Sequence, residues 1–268
     1  MLRKGDLTQG GITGTLLHFT LPMMVGSFLQ QCYNIADTLI VGQCIGAGAL
    51  AAVGSAYTLM VFLISVLLGL AMGSGTVFSL HYGAGNHVAL RRSIFSSFVL
   101  IGIVTLILNV AVFIWIDPIL RLLQVPQDIY GMMRSYLWII FCGIVFTFIY
   151  NFYASLLRAV GDSVTPLWFL AVSVVLNIAL DLFFILQLDW GIQGAAAATV
   201  FAQGVAALGI IIYTYRRRPE LRWHHEDMCF DRTCLKEIAS FSTLTCVQQS
   251  VMNLGILMIQ GLVNSFGT

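Results

Sequence analysis

Long apolar stretches alternate with short polar ones along the whole chain. A helix of about 20 residues crosses the hydrocarbon core of a bilayer, and each of these stretches is long enough for that. The pattern therefore predicts an all-α polytopic membrane protein. Seven spans are predicted, at about residues 15–42, 50–80, 94–116, 131–157, 164–187, 191–215 and 235–263.

Composition favours lipid-facing surfaces over one closed core. Hydrophobic residues make up 59% of the 268 positions and charged residues 9%, whereas soluble domains carry about 25% charged residues. The formal net charge of +1 gives no information about nucleic-acid or acidic partners. The cysteines form no CxxC pair and show no metal-like spacing, so we expect reduced packing cysteines at Cys32, Cys44, Cys142, Cys229, Cys234 and Cys246.

Basic residues are distributed unequally between the two sets of loops. The side of the N-terminus carries most of them, namely Arg3, Lys4, Arg91, Arg92, Arg158, Arg216, Arg217, Arg218, Arg222, Arg232 and Lys236. The opposite side carries Arg121 and Arg134. The positive-inside rule then predicts a cell-membrane protein with a cytoplasmic N-terminus. No small-residue cleavage site follows the polar start, so we expect no cleaved signal peptide.

The first and seventh spans show a weak internal repeat. A shift of 219 positions sets Gln30 on Gln249 and Asn34 on Asn253. An even number of spans separates the copies, as in carriers built from two parallel six-helix lobes. We therefore expect a fragment of a protein nearly twice as long, truncated after the seventh helix. Its predicted parts are a six-helix N-terminal lobe (1–215), a cytoplasmic inter-lobe loop (216–234) and the first helix of the C-terminal lobe (235–268).

Three polar side chains on three spans share one predicted depth. Asp37, Asp181 and Thr199 lie near the outer ends of their spans, roughly 7 to 12 Å below the outer surface at a rise of 1.5 Å per residue. An ionisable group inside a span costs about 2.5 to 3.5 kcal/mol and is by default a candidate ion or proton site. The shared depth predicts that the two acids meet in the protein interior.

Further polar residues lie about one helical turn from these acids. Asn177 precedes Asp181 by one turn, and Tyr33 and Asn34 precede Asp37. Such an oxygen-rich cluster suits a hard cation such as Na+, or a proton shared between two carboxylates. The alternative is that the acids only join neighbouring helices, an interaction worth about 0.6 kcal/mol in membranes.

Two backbone features suggest where helices bend or approach closely. Pro22 removes one backbone hydrogen bond inside the first span, which makes it a candidate hinge. Glycines in the second span permit either close helix approach or a bend, at Gly69, Gly73 and Gly75. Sulfur and aromatic side chains in the first two spans either form an adaptable pocket wall or simply pack or contact lipid, at Met23, Met24, Phe28, Met60 and Phe62.

Other reaction chemistry has little support in the sequence. It contains no nucleotide-binding GxxxxGK[ST] loop and no nucleophile placed beside a base. The run from His224 to Asp227 is interpreted as a solvated loop segment, and His18, His81 and His87 as interfacial residues. An ion gradient is then the simplest energy source, and we expect no cofactor beyond a coupling ion.

Five motifs carry a resemblance to a known family. They are the first-span pattern from Pro22 to Gly42, which ends in NIADTLIVG, then HYGAGN (81–86), LRAVGDSVTP (157–166), NIALD (177–181) and GIQGAAAAT (191–199). In this order and spacing, over the whole chain, they resemble the MATE (multidrug and toxic compound extrusion) transporters.

The resemblance implies a V-shaped, two-lobed (6+6) antiporter that exports amphipathic or cationic organic compounds in exchange for H+ or Na+. It implies a bend of the first helix at Pro22 and a cation site in the N-terminal lobe at Asp37, Asn177, Asp181 and Thr199. Such a protein is not an enzyme. Its expected partners are the bilayer and small organic substrates, with no nucleic acid and no obligate protein partner.

Three alternatives stay open at this point. A flippase for a lipid-linked precursor, from the same superfamily, is expected to line its lobe with cationic residues for a pyrophosphate. A membrane-embedded enzyme is expected to carry a polar catalytic set near a membrane face. The third alternative is that the fragment has no function as it stands.

Overall fold

A computed structural model describes residues 12–122, 125–222 and 232–265, and these residues are almost entirely helical. The α-helices are α1 (Ile12–Cys44), α2 (Ala47–Gly83), α3 (His87–Leu122), α4 (Gln127–Cys142), α5 (Ile144–Ala159), α6 (Val164–Leu182), α7 (Gly191–Arg217) and α8 (Arg232–Ser265). A π-helix (Phe183–Gln187) continues α6, and a 3-10 turn (Pro219–Leu221) follows α7. The run from His224 to Asp227 lies outside the described residues.

The helices run up and down, so their connections gather at two ends of the bundle. The Gly46 end holds the α1–α2 turn, the connection from α3 to α4 and residues 188–190. The Gly85 end holds the α2–α3 turn, the turn from α5 to α6 and residues 218–222. Gly46 and Gly85 have φ angles of +115° and +69°, which glycine adopts freely and other residues avoid. Both tight turns therefore depend on glycine.

Helices of membrane length account for most of the predicted spans. In the described part of the chain, α2, α3, α6 with its π-helix, and α7 are each long and apolar enough to cross a membrane, and α4 with α5 forms a fifth span if the bent pair counts as one. The helices α1 and α8 reach 33 and 34 residues. The division of the chain into lobes stays a prediction.

The fourth span is broken, whereas the sequence predicted a continuous helix over 131–157. The axes of α4 and α5 differ by 47° across Gly143. A Cβ atom at Gly143 would lie 2.7 Å from Cγ1 of Val200 on α7. The missing side chain thus lets α7 pack directly against the bend.

Two glycines of α2 allow a close helix approach and not a bend. A Cβ atom at Gly69 would lie 2.7 Å from Cα of Cys246, and one at Gly73 would overlap the backbone of Ser242. The hydroxyl of Ser242 donates to the carbonyl oxygen of Leu70 at 3.3 Å. Small residues on both helices therefore bring the backbones of α2 and α8 into contact, as in other membrane helix pairs.

An aromatic cluster joins α2, α3 and α5 in the core. Phe152 is fully buried, with its ring centroid 5.9 Å from that of Phe78 and 5.3 Å from that of Phe98. On α1, in contrast, Met24 and Phe28 are exposed. The part of the predicted pocket wall that lies on α1 is therefore exposed on the surface of the bundle.

Candidate functional site

The packing of α1 against α6 brings the two membrane acids together. Asp37 is 8% exposed and Asp181 is fully buried, and their carboxyl groups lie within hydrogen-bond range of one another. The prediction from depth, that these acids meet inside the protein, is confirmed. Their role in coupling stays a prediction.

The acid pair has unused capacity to bind a positive charge. Two ionised carboxylates only accept hydrogen bonds, so contact between Asp37 and Asp181 requires a proton on one of them or a cation beside them. One oxygen of each carboxyl, Oδ1 in both cases, is buried without a hydrogen-bond partner. A buried acceptor left without a partner costs about 1 to 3 kcal/mol, more when it is charged. A proton or a small cation would offset that cost.

Asn177 and Thr199 connect the acid pair to α7. With its amide nitrogen turned toward Asp181, Asn177 donates to Oδ2 of Asp181 at 2.9 Å and accepts from the backbone N–H of Thr199 at 3.2 Å. The phenol of Tyr33 lies 3.2 Å from the hydroxyl of Thr199. Four of the predicted residues and the supporting Tyr33 therefore form one cluster, which we call the acid cluster: Tyr33, Asp37, Asn177, Asp181 and Thr199.

Two other predicted residues are placed apart from the acid cluster. The side-chain amide of Asn34 donates to Gln31 on the same helix at 3.3 Å, so its bond is local. Helix α1 continues without a break through Pro22, which lies four turns before Asp37. The hinge at Pro22 stays a prediction.

A second tyrosine belongs to this site and was missed at the level of sequence. Tyr136 of α4 is 4% exposed and lies close enough to interact electrostatically with Asp37, Tyr33 and Asp181. Its span carries no acid, so the polar pattern gave no reason to single it out. The shared-depth argument would have found it, since Tyr136 lies two to three turns after the start of α4 at the Gly46 end.

Polar groups continue one turn beyond Thr199 on α7. Thr147 of α5 donates to the side chain of Gln203, and both line a small cavity of about 20 Å³ together with Thr199. A cavity of this size and polarity holds about one water molecule. Polar side chains therefore extend from the acid cluster toward the bend at Gly143.

The donor set fits a proton or a hard monovalent cation. The acid pair supplies carboxyl oxygens, and hydroxyl groups of Tyr33, Thr199 and Tyr136 lie near it, while the amide nitrogen of Asn177 donates to Asp181. Oxygen ligands suit Na+ in the way they suit other hard cations. The same carboxyl pair can also hold a single shared proton.

Comparison with known proteins decides the family. The sequence model of the MatE family matches residues 22–183, which include Asp37, Asn177 and Asp181. The chain belongs to the MATE family. The recognition made from five sequence motifs is thereby confirmed, and the MATE match covers more than half of the chain.

Two relatives illustrate the similarity to other MATE proteins. A Bacillus subtilis protein named "Probable multidrug resistance protein YpnP" is 33% identical over 273 residues, covering 99% of this chain and 59% of the relative. "Multidrug export protein MepA" of Staphylococcus saprophyticus is 31% identical over 210 residues, covering 75% of this chain and 45% of the relative. The chain thus spans about half the length of the relatives it matches.

A solved structure shows the same fold. It is described as the outward-facing conformation of a multidrug resistance MATE family transporter, and it matches with a TM-score of 0.91 at 24% identity. The match covers 100% of this chain and 59% of the solved one. The fold is therefore that of a MATE transporter, as expected, and the chain is part of a multi-pass membrane transporter fold.

Proposed function

We propose that this chain forms the cation-coupled part of an exporter of amphipathic or cationic organic compounds. The observation that carries the proposal is the buried acid pair, in which Asp37 and Asp181 each keep one carboxyl oxygen without a partner. An amide would join two helices without the cost of burying a charge, so two acids favour exchange of a proton or cation. Relatives named for multidrug resistance and export support the substrate class.

The distribution of basic residues supports an orientation for the bundle. The Gly85 end carries the larger share in the described part, including Arg91, Arg92, Arg158 and Arg218. At the Gly46 end, Arg134 pairs with Asp117 at 2.8 Å. The Gly85 end then faces the cytoplasm and the acid cluster lies nearer the exterior.

Coupling follows from the charge of the acid pair. Two ionised carboxylates repel each other, so Asp37 and Asp181 hold α1 and α6 in one arrangement when a cation is bound and in another when it is absent. H+ or Na+ entering from the exterior removes one negative charge from the pair and with it the repulsion, α1 bends at Pro22, and the substrate cavity in the lobe shrinks. Each charge that moves down 100 mV supplies about 2.3 kcal/mol, enough for accumulation of some tens-fold.

The test is efflux by the complete protein in vesicles. A fluorescent organic cation is loaded, a pH or Na+ gradient is imposed, and efflux is compared for wild type, Asp37→Asn and Asp181→Asn. Asp128→Asn serves as the control, because Asp128 is an exposed acid at the same end of the bundle. Gradient-driven efflux is expected to disappear in the first two variants and to persist in the control. Wild-type rates in both membrane-acid variants would overturn the proposal.

Basic side chains argue against the flippase alternative. A pyrophosphate carrier needs cations inside its lobe, since phosphates are bound by charge-assisted hydrogen bonds. In the described part of the chain, the basic residues lie within about two turns of a helix end, as Arg134 and Arg158 do. The interior of the lobe instead carries the two acids.

A further inference from the structure

A groove of about 700 Å³ opens at the Gly46 end, between α1, α4 and the start of α7. Its walls are mostly apolar, and its rim carries one acid, one indole and one amide. We call it the Trp190 groove, and it is lined by Ile45, Met132, Ile139, Asp189, Trp190 and Gln193 among others.

The Trp190 groove lies between the acid cluster and the Gly46 end. Ile45 follows Asp37 by about two turns of chain, roughly 12 Å at 1.5 Å per residue. Gln193 precedes Thr199 by less than two turns on α7. The groove is therefore about two helical turns from the acid cluster along both α1 and α7, on the side of the Gly46 end.

The aromatic part of the rim is held in place by its neighbours. The indole of Trp190 stacks on the ring of Phe184, with centroids 5.2 Å apart and an interplanar angle of 27°. The backbone N–H of Trp190 also donates to the carbonyl oxygen of Phe184 at 3.1 Å. The indole is thus ordered before any ligand arrives, and indole is the aromatic ring that attracts cations most strongly.

The charge at the groove is negative. Asp189 is the charged residue among the described residues that line it, and its carboxylate is exposed. The first turn of α7 contributes about half a positive charge through its free N–H groups, which is less than the full negative charge of one carboxylate. On α4, Arg134 is already paired with Asp117. A positively charged ligand is therefore favoured over an anion.

We propose that the Trp190 groove binds organic monocations that carry aromatic rings, as a last binding site before release. The carboxylate of Asp189 supplies charge, the indole of Trp190 supplies a cation–π contact, and the apolar walls cover the rings of the ligand. The proposal rests on the proposed function, because its occupant is the exported class of compound.

The experiment compares a cation with a neutral compound of similar shape. Transport of tetraphenylphosphonium and of triphenylphosphine oxide is measured in vesicles that contain the complete protein, as wild type, Asp189→Asn, Trp190→Leu and the control Asp128→Asn. Both acids are exposed at the same end, but Asp128 does not line the groove. Removal of Asp189 is expected to raise the KM for the phosphonium about three- to tenfold, with kcat nearly unchanged. The neutral compound is expected to respond little.

Equilibrium dialysis of tetraphenylphosphonium against the purified protein separates this proposal from the proposed function. If wild type transports neither compound, the proposed function fails, and weaker phosphonium binding in Asp189→Asn and Trp190→Leu than in Asp128→Asn still supports the groove. Equal effects of Asp189→Asn and Asp128→Asn on the phosphonium would mean that only general surface charge matters. That result, or unchanged binding in all variants, overturns the proposal.

Discussion

Asp37 of α1 and Asp181 of α6 lie within hydrogen-bond range of one another in the buried interior of the bundle. Their spans are far apart in the sequence, so this contact depends on the packing of α1 against α6. The contact requires a positive charge, as a proton or a cation, because two carboxylates have no hydrogen to donate.

The acid cluster is expected to depend on Tyr33 but not on its neighbour Asn34. Tyr33→Phe removes the hydroxyl that lies 3.2 Å from Thr199, whereas Asn34→Ala removes an amide that bonds Gln31 locally. Loss of one hydrogen bond costs about 0.5 to 1.5 kcal/mol, so the phenylalanine variant is expected to bind the coupling cation up to about tenfold more weakly. Cation-dependent efflux at graded cation concentrations measures this. A larger effect of Asn34→Ala would contradict the assigned cluster.

Pro22 is expected to matter for transport more than for cation binding. Proline costs about 3 kcal/mol relative to alanine inside a helix, so Pro22→Ala favours a straight α1. Efflux is expected to fall about tenfold or more while cation binding stays close to wild type. Pro118→Ala is the matched control, since Pro118 is an exposed proline inside α3. Equal efflux from both variants would argue against a hinge in α1.

The seam between α2 and α8 is expected to admit no side chain at position 69. A Cβ atom there would lie 2.7 Å from Cα of Cys246, so Gly69→Ala forces the two backbones apart, and overpacking of this kind costs about 1 to 3 kcal/mol. The Tm in detergent is expected to fall. Gly83→Ala is the control on the same helix, because a Cβ atom at Gly83 has nothing within 4 Å. Equal Tm values for the two variants would show that α2 and α8 do not meet at this point.

A side chain at position 143 is expected to fit only if α7 moves away from the bend. Gly143→Ala places a Cβ atom 2.7 Å from Cγ1 of Val200, and overpacking of this kind costs about 1 to 3 kcal/mol. The Tm in detergent is expected to fall, and the second change Val200→Ala is expected to restore part of the loss. If the double variant is no more stable than the single one, the collision with Val200 is not the cause.

The helices and the acid cluster could be predicted from the sequence, for two physical reasons. Lipid requires every backbone group to bond within its own helix, so apolar length alone locates the spans. The cost of burying a charge made Asp37 and Asp181 stand out, and their common depth placed them together with Thr199.

Other features depend on packing that no single span encodes. The bend at Gly143 packs against Val200 of a distant helix, and the sequence of its own span does not show that contact. Tyr136 lies near the acid cluster only because α4 packs against α2 and α7. Asn34 was assigned to the cluster from its spacing, yet its amide found a nearer partner in Gln31. Sequence spacing predicts which face of a helix a side chain occupies. Which neighbour that side chain then bonds depends on how the helices pack.

The most direct test of the central claim is a count of cations released when substrate binds. The purified complete protein is equilibrated at fixed pH and Na+ concentration, an organic cation is added, and the release of protons or Na+ is measured by calorimetry in two buffers and by a sodium electrode. Wild type is expected to release about one cation for each substrate bound. The double variant that combines Asp37→Asn and Asp181→Asn is expected to release no cation, whereas Asp128→Asn is expected to behave as wild type. Release that is equal in wild type and in the double variant would contradict the account.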